Sequence, residues 1–145
     1  MITQLDTSTS IRLIVEEAGS DLAELMWQSA DSQSADSLAP ARLIVVEAHA
    51  ALAAAARSQQ LSADQLDAST PELAAFVGDL HLVEVTEELV DAAAELAEVE
   101  ALRDDDAVHL AAALFVGATV LTSADDALCD AAGRRGMDVT DPLHP

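Results

Sequence analysis

DAVHLAAALFVGATVLTSADDAL, residues 106–128, spells out a whole structural unit: a helix, a turn, and a strand that runs into the next helix. Asp104 to Asp106 open the first helix with negative charge at its N-terminal end, where the aligned peptide dipoles favour it. Gly117 closes that helix, as a residue free to take a left-handed conformation does. Residues 118–122 (ATVLT) form the clearest strand in the chain, and a helix from Asp125 to about Ala132 follows. Parallel strands need a long crossover, usually a helix, so this order predicts an α/β domain with a mostly parallel sheet.

The rest of the chain continues the alternation. Upstream, Thr86 is placed to cap a helix over Glu87 to Glu100, with Leu89, Val90, Ala93, Leu96 and Ala97 on its packed face. Leu82-Val83-Glu84-Val85 gives a short strand signal, and the alanine-rich stretch from Arg42 to about Gln59 a strong helix signal. Residues 62–78 look helical in two pieces, because Pro71 follows Ser69-Thr70. Residues 2–5 (ITQL) predict a strand ending at Asp6, followed by a helix through Ile11, Leu13, Ile14 and Val15, a second helix over 20–30, and a polar loop over 31–38. Pro40 starts a new element. Beyond the opening unit, Gly133 and Gly136 close the last helix and Met137-Asp138-Val139 suggests an edge strand. No internal repeat or linker interrupts residues 1–145, so a single domain is expected, with about four or five short strands flanked by helices.

Composition narrows the class. Apolar residues make up 51% of the 145, too many for a disordered chain, and the core must be aliphatic because only Trp27, Phe76 and Phe115 are aromatic. No apolar run approaches the roughly 20 residues of a membrane span, and MITQLDTS shows no secretion signal. Cys129 is the one cysteine, which rules out an intramolecular disulfide and suggests a cytoplasmic setting. Charge is the unusual quantity: 27 acids against six bases, a formal −21, with arginine as every base and no lysine. Such a surface favours basic partners and argues against an extended nucleic-acid-binding face, without excluding an enzyme that grips one phosphate.

Asp6, Glu47, Asp106 and Asp125 each sit where a predicted strand ends or a helix runs near its start. Ligands of open parallel sheets bind beyond the carboxyl ends of the strands, so these acids can share one crevice. Two unit charges about 4 Å apart repel by roughly 4 kcal/mol at an effective dielectric of 20. A cluster of four therefore takes up protons or recruits a hard cation that prefers oxygen ligands. Glu47, with Leu43, Val46 and Ala50 around it, is placed on an apolar helix face where a lone carboxylate is costly. These considerations predict a hydrolase dependent on Mg²⁺ or Mn²⁺. Blander roles compete. Asp125 is a good helix cap, Asp104 and Asp105 complement a helix dipole, and Ser8, Thr122 and Ser123 either cap helices or orient the acids. His109, one turn from Asp106, suits a packed structural residue better than a proton carrier. Cys129 suits a small buried apolar group, Met26-Trp27 packing or an interface, and Arg134-Arg135 the C-terminal dipole of their helix. Arg12 either meets phosphate or is solvated.

The same residues resemble a known family. LDTS at 5–8, a following helix with Arg12, and EEAGS at 16–20 look like the start of a PIN domain, more narrowly the ribonuclease toxin of VapBC toxin–antitoxin pairs. Arg42-Leu43 to Glu47 with AHAAL is similar to the segment that carries the family's second acid. DAVHLAAAL at 106–114 is the most specific match, and LTSADDAL at 121–128 looks like the last acidic motif. The resemblance implies a PIN-like three-layer fold and a metal-dependent endoribonuclease in which Asp6, Glu47, Asp106 and Asp125 are both catalytic and metal-binding. It further implies Mg²⁺ or Mn²⁺ as cofactor, an RNA substrate, a VapB-type antitoxin, a homodimer, and no membrane association. Two departures stand out. The final motif usually reads Thr-x-Asp, whereas Thr122 is followed here by Ser123, Ala124, Asp125 and Asp126; the D-x-x-L spacing to Leu128 selects Asp125, with Asp126 as the alternative. The net charge is also more negative than expected of an RNA-cleaving member, which leaves open an inactive PIN-like interaction module. Phosphatases of the haloacid dehalogenase type and phosphoryl-receiver domains also place an aspartate after the first strand, but both rely on a lysine that this chain lacks.

Overall fold

The computed structural model describes residues 2–6, 38–78 and 80–141. The helices expected over residues 7–15 and 20–30, with Ser8, Arg12, Met26 and Trp27, and the loop up to residue 37 lie outside the described residues.

Strand β1 (Thr3–Leu5) pairs in parallel with β2 (Val120–Thr122), and β2 with β3 (Asp138–Thr140), so the order is β1-β2-β3. Thr3 lies opposite Val120 and Leu5 opposite Thr122, which brings the carboxyl ends of β1 and β2 level. On the far side of β1 the sheet continues through single bridges, Thr3 to Leu38 and Ala41 to Val83, both parallel. The strand expected at residues 82–85 thus shrinks to one bridging residue. Val83 donates to Pro40 O at 2.8 Å and accepts from Arg42 N at 2.8 Å, but Glu84 and Val85 are exposed, so no buried face extends the pairing.

The described residues form five helices, of which the last two pack on the strands: α1 (Ile44–Arg57), α2 (Ala63–Gly78), α3 (Glu87–Val99), α4 (Asp104–Phe115) and α5 (Asp126–Arg134). Thr86 caps α3 as expected, its Oγ1 accepting from Leu89 N at 3.2 Å. The α3 face buries Leu89, Ala93 and Leu96 against Leu110 and a run of small residues, Ala111 to Ala113, on α4. Small side chains let the two helices approach closely, and each leucine fully removed from water contributes about 1.5–3 kcal/mol. Leu121, Leu128, Ala131 and Ala132 join the same core from β2 and α5, which fixes α4 and α5 relative to the strand between them. A second cluster, Ala48, Leu52, Ala55, Leu61 and Leu73, packs α1 on α2.

Two expectations about helix ends are corrected. α2 is one helix through Pro71 rather than two pieces. Its start is held by a reciprocal capping box, Gln65 N to Ser62 Oγ at 3.1 Å and Ser62 N to Gln65 Oε1 at 2.8 Å. Its second half is anchored on α1 by the fully buried Leu73, so tertiary packing overrides the local cost of proline. α5 runs through Gly133 and ends at Arg134, and the reversal falls to Gly136, at φ 86°. No helix among the described residues is long and apolar enough to cross a membrane.

Candidate active site

The carboxyl ends of β1 and β2 deliver the first acid. Asp6 follows Leu5 directly and is buried, its backbone N–H reaching Thr122 O at 3.4 Å. The Ser123 hydroxyl donates to Asp6 Oδ2 and accepts from Asp125 N at 2.9 Å. One buried serine thereby ties the end of β1 to the start of α5. Ser123 N in turn donates to Thr140 O at 3.1 Å, so the three strand ends are stitched together beneath the acids.

Asp125 is the N-cap of α5, with Oδ1 accepting from Leu128 N at 2.9 Å. Its other oxygen, Oδ2, stays available and lies 3.6 Å from Arg103 Nη2. The capping role and a site role therefore fall on different oxygens of one carboxylate. Asp126 is exposed in the first turn of α5.

Asp106, in the first turn of α4, has a side chain only 6% exposed, 3.4 Å from Arg103 Nε. Burial, then the charges of Asp125 and Asp105, push its carboxyl up to about 6 against the partial relief given by Arg103. Arg103, 3.4 Å from Asp106 and 3.6 Å from Asp125, places the two carboxylates near one another. Negative charge is crowded here beyond what the protein's own cation balances.

Glu47 reaches the same region from α1. Its Oε1 lies 2.5 Å from His109 Nε2, and the two side chains are 16% and 2% exposed. Burial alone would lower the imidazole's affinity for a proton. The hydrogen bond and charge of Glu47, joined by the charges of Asp6 and Asp105, outweigh it and raise His109 above its ordinary range. The contact thus favours the protonated imidazole. His109 Nδ1 is buried without a hydrogen-bond partner. The expectation that Glu47 lies on an apolar face is corrected: Val46 is 61% exposed and Ala50 is exposed, and Glu47 has a polar partner in His109. His109 is packed, as expected, but packed against an acid.

Sequence reasoning missed Arg103. It precedes Asp106 by three residues, a spacing that places side chains together on a helix, and this was the available signal. Arg134 and Arg135 do lie at the C-terminal end of α5, as expected, and in addition both bind Glu100, at 2.6 and 3.3 Å. Cys129 is half-buried beneath the site with Sγ 3.4 Å from Ser123 O; burial, then the charges of Asp141, Asp6, Asp125 and Asp126, push its thiol up to about 12. It is a packed, unreactive group.

Among the described residues, no three histidine, cysteine or acidic side chains stand in the arrangement of a ready metal centre. Asp106 and Asp125 instead meet Arg103, Glu47 meets His109, and Asp6 meets Ser123. The donor chemistry nevertheless suits a hard divalent cation: the oxygens are carboxylate oxygens, and Asp106 is held buried beside like charge with incomplete compensation.

No family model matches the sequence. Two proteins of Mycobacterium tuberculosis, ribonuclease VapC45 and ribonuclease VapC49, are each 37% identical to it over 116 residues, covering 80% of this chain and 77% of theirs. Among solved structures, PAE2754 from Pyrobaculum aerophilum superposes with a TM-score of 0.71 at 19% identity, over 96% of this chain and 90% of the other. VapBC2 from Rickettsia felis, bound to a DNA fragment from their promoter, gives 0.67 at 14% identity over 97% and 98%. The parallel sheet with its flanking helices is the PIN-like architecture those structures share. With that fold, and with relatives this similar over most of both lengths, the chain belongs to the VapC family of PIN-domain ribonucleases.

Proposed function

We propose that this chain is a metal-dependent endoribonuclease, the toxin of a type II toxin–antitoxin pair, acting on RNA phosphodiester bonds in the cytoplasm. The observation that carries this reading is Asp106, buried at the mouth of α4 beside Asp125 with its carboxyl raised to about 6. A fold that needed only stability would not keep so costly a carboxylate there. The names of the M. tuberculosis relatives support ribonuclease activity, and the VapBC assembly of the R. felis neighbour supports an antitoxin partner.

Asp6, Glu47, Asp106 and Asp125 would hold Mg²⁺ or Mn²⁺. Such an ion supplies Lewis acidity, lowering the pKa of water and neutralising charge that develops on a phosphodiester. The chain's own residues set the stage for this. Ser123 fixes Asp6 in one rotamer and orients Asp125 through its backbone, while Asp125 Oδ1 is occupied by Leu128 N and leaves Oδ2 for the crevice. His109 holds Glu47 at the rim from beneath. No side-chain nucleophile is required. An acidic chain of −21 suits an antitoxin that presents arginine or lysine, and two copies of the toxin would assemble around such partners.

Purified protein incubated with structured RNAs in Mn²⁺ should cleave them, and EDTA should stop the reaction. Asp6→Asn and Asp106→Asn, folded by circular dichroism, should be silent. Cleavage by these variants at the wild-type rate would count against the assignment.

A further inference from the structure

Arg103 differs from Arg42, Arg134 and Arg135 in being shared among three acids rather than committed to one. Strong arginine–carboxylate contacts run near 2.7–2.9 Å, often through two nitrogens to one acid. Arg134 meets Glu100 at 2.6 and 2.9 Å, and Arg42 meets Glu84 at 2.7 Å. Arg103 is shared out instead: Nε lies 3.4 Å from Asp106 and 3.8 Å from Asp105, and Nη2 lies 3.6 Å from Asp125. Its side chain is 69% exposed, so the guanidinium can swing away without uncovering the core.

Position makes this loose grip consequential. The guanidinium stands between Asp106 and Asp125, two acids assigned above to cation binding. A divalent ion drawn to those oxygens competes for the same negative charge. An anionic substrate, meanwhile, must approach a chain of −21 whose bases are six arginines and no lysine. Among the described residues, Arg42, Arg134 and Arg135 are engaged by Glu84 and Glu100 and Arg57 ends α1, whereas Arg103 already stands beside Asp106 and Asp125. A guanidinium fork also matches the geometry of phosphate oxygens.

Resting on the metal-dependent reading above, we infer that Arg103 is a built-in counter-cation of the Asp106–Asp125 pair that a divalent ion displaces, and that the freed guanidinium then grips a non-bridging phosphate oxygen of the RNA. One residue thereby couples cation loading to substrate capture. Arg103 acts as a positioning residue, since the hydrolysis itself takes no proton or bond from it.

The test combines calorimetric titration with Mn²⁺ alone and steady-state cleavage of an RNA oligonucleotide, at fixed ionic strength. Arg103→Gln removes the competitor and should bind Mn²⁺ about three- to tenfold more tightly, the size of one charge repulsion in a hydrated cleft. Its KM for RNA should rise about tenfold, while kcat changes by less than about threefold, as loss of a ground-state phosphate contact predicts. Arg103→Lys keeps the charge but loses the fork, so Mn²⁺ affinity should stay near wild type while KM still rises; this variant carries the test if Arg103→Gln does not fold. Unchanged or weaker Mn²⁺ binding by a folded Arg103→Gln, or an unchanged KM in both variants, overturns the inference and leaves the nuclease assignment standing. Absence of Mn²⁺ binding by wild type and variant alike, with RNA still cut in EDTA, overturns the metal-dependent reading and this inference with it.

Discussion

Glu100 and Asp106 both have side chains with little exposure, 8% and 6%, and each faces arginine, yet Asp106 lies deeper and their carboxyls move in opposite directions. At Glu100 the hydrogen bond from Arg134 outweighs the cost of burial, and its charge and the contact with Arg135 add to it, so the carboxyl falls below its usual range. At Asp106 burial leads, Asp125 and Asp105 add to it, and the more distant Arg103 recovers only part, so the carboxyl rises to about 6. The first is a carboxylate compensated within the fold, joining α5 to the end of α3. The second is a carboxylate kept in deficit at the carboxyl ends of the strands, where ligands of parallel sheets bind. Asp106 therefore differs from Glu100 both in lying deeper and in the surplus of acid over base around it.

Mutation should separate the two carboxylates sharply. Asp106→Asn should lower RNA cleavage at least about 100-fold, as loss of a metal-holding or charge-bearing group in such a site does. Glu100→Ala, in the same assay, should cleave at the wild-type rate. A matching loss at Glu100 would erase the distinction between a structural and a functional acid.

Glu47 lies between these extremes, because its partner is buried. Glu47→Ala leaves the His109 imidazole without its bonded carboxylate, and should cost about 2–4 kcal/mol in chemical denaturation. Denaturation unchanged by this substitution would mean that the Glu47–His109 contact contributes nothing to the stability of the fold.

The pH dependence of stability sharpens the comparison further. Because the folded Asp106 carboxyl is raised from 3.8 to about 6, the folded state holds its proton more tightly than the unfolded chain does. Its stabilising contribution is complete below about 4 and is lost as pH climbs through about 6. In EDTA, Asp106→Asn should therefore gain on wild type between pH 4 and 7, by about 1–3 kcal/mol at the upper end. Glu100 has the opposite sign: its lowered carboxyl contributes stability above the ordinary glutamate range and loses it as pH falls through the depressed value. Glu100→Gln should be the mildest change of all, near the scatter of a melting curve at neutral pH, since its arginines remain hydrated at the surface. A variant at Asp106 that loses stability on going from pH 4 to 7 relative to wild type would reverse the account of that site.

What the sequence revealed follows the range of the forces involved. The helix–strand–helix run over 106–128 was legible because its signals are local: acids at a helix start, Gly117 at its end, β-branched residues between, and Asp125 capping the next turn. Asp6, Asp106 and Asp125 followed from the rule that strand ends face a crevice, and the structure brings them into one region. Glu47 was found without its partner, since the contact with His109 spans 62 positions and nothing local announces it. Pro71 misled because the proline effect is local whereas the packing of Leu73 on α1 is not. The strand at 82–85 failed for the complementary reason, an apolar run whose far end faces solvent. Arg103 was visible by spacing alone, and only the three acids around it reveal what it holds.

The most direct trial of the central claim is the melting temperature with and without millimolar Mn²⁺, in wild type and in Asp106→Asn. A ligand that binds the folded state raises its stability by an amount set by concentration over affinity. If these acids form one cation site, Mn²⁺ should raise the wild-type melting temperature by several degrees and barely move Asp106→Asn. Equal shifts in both proteins, or none in wild type, would contradict it.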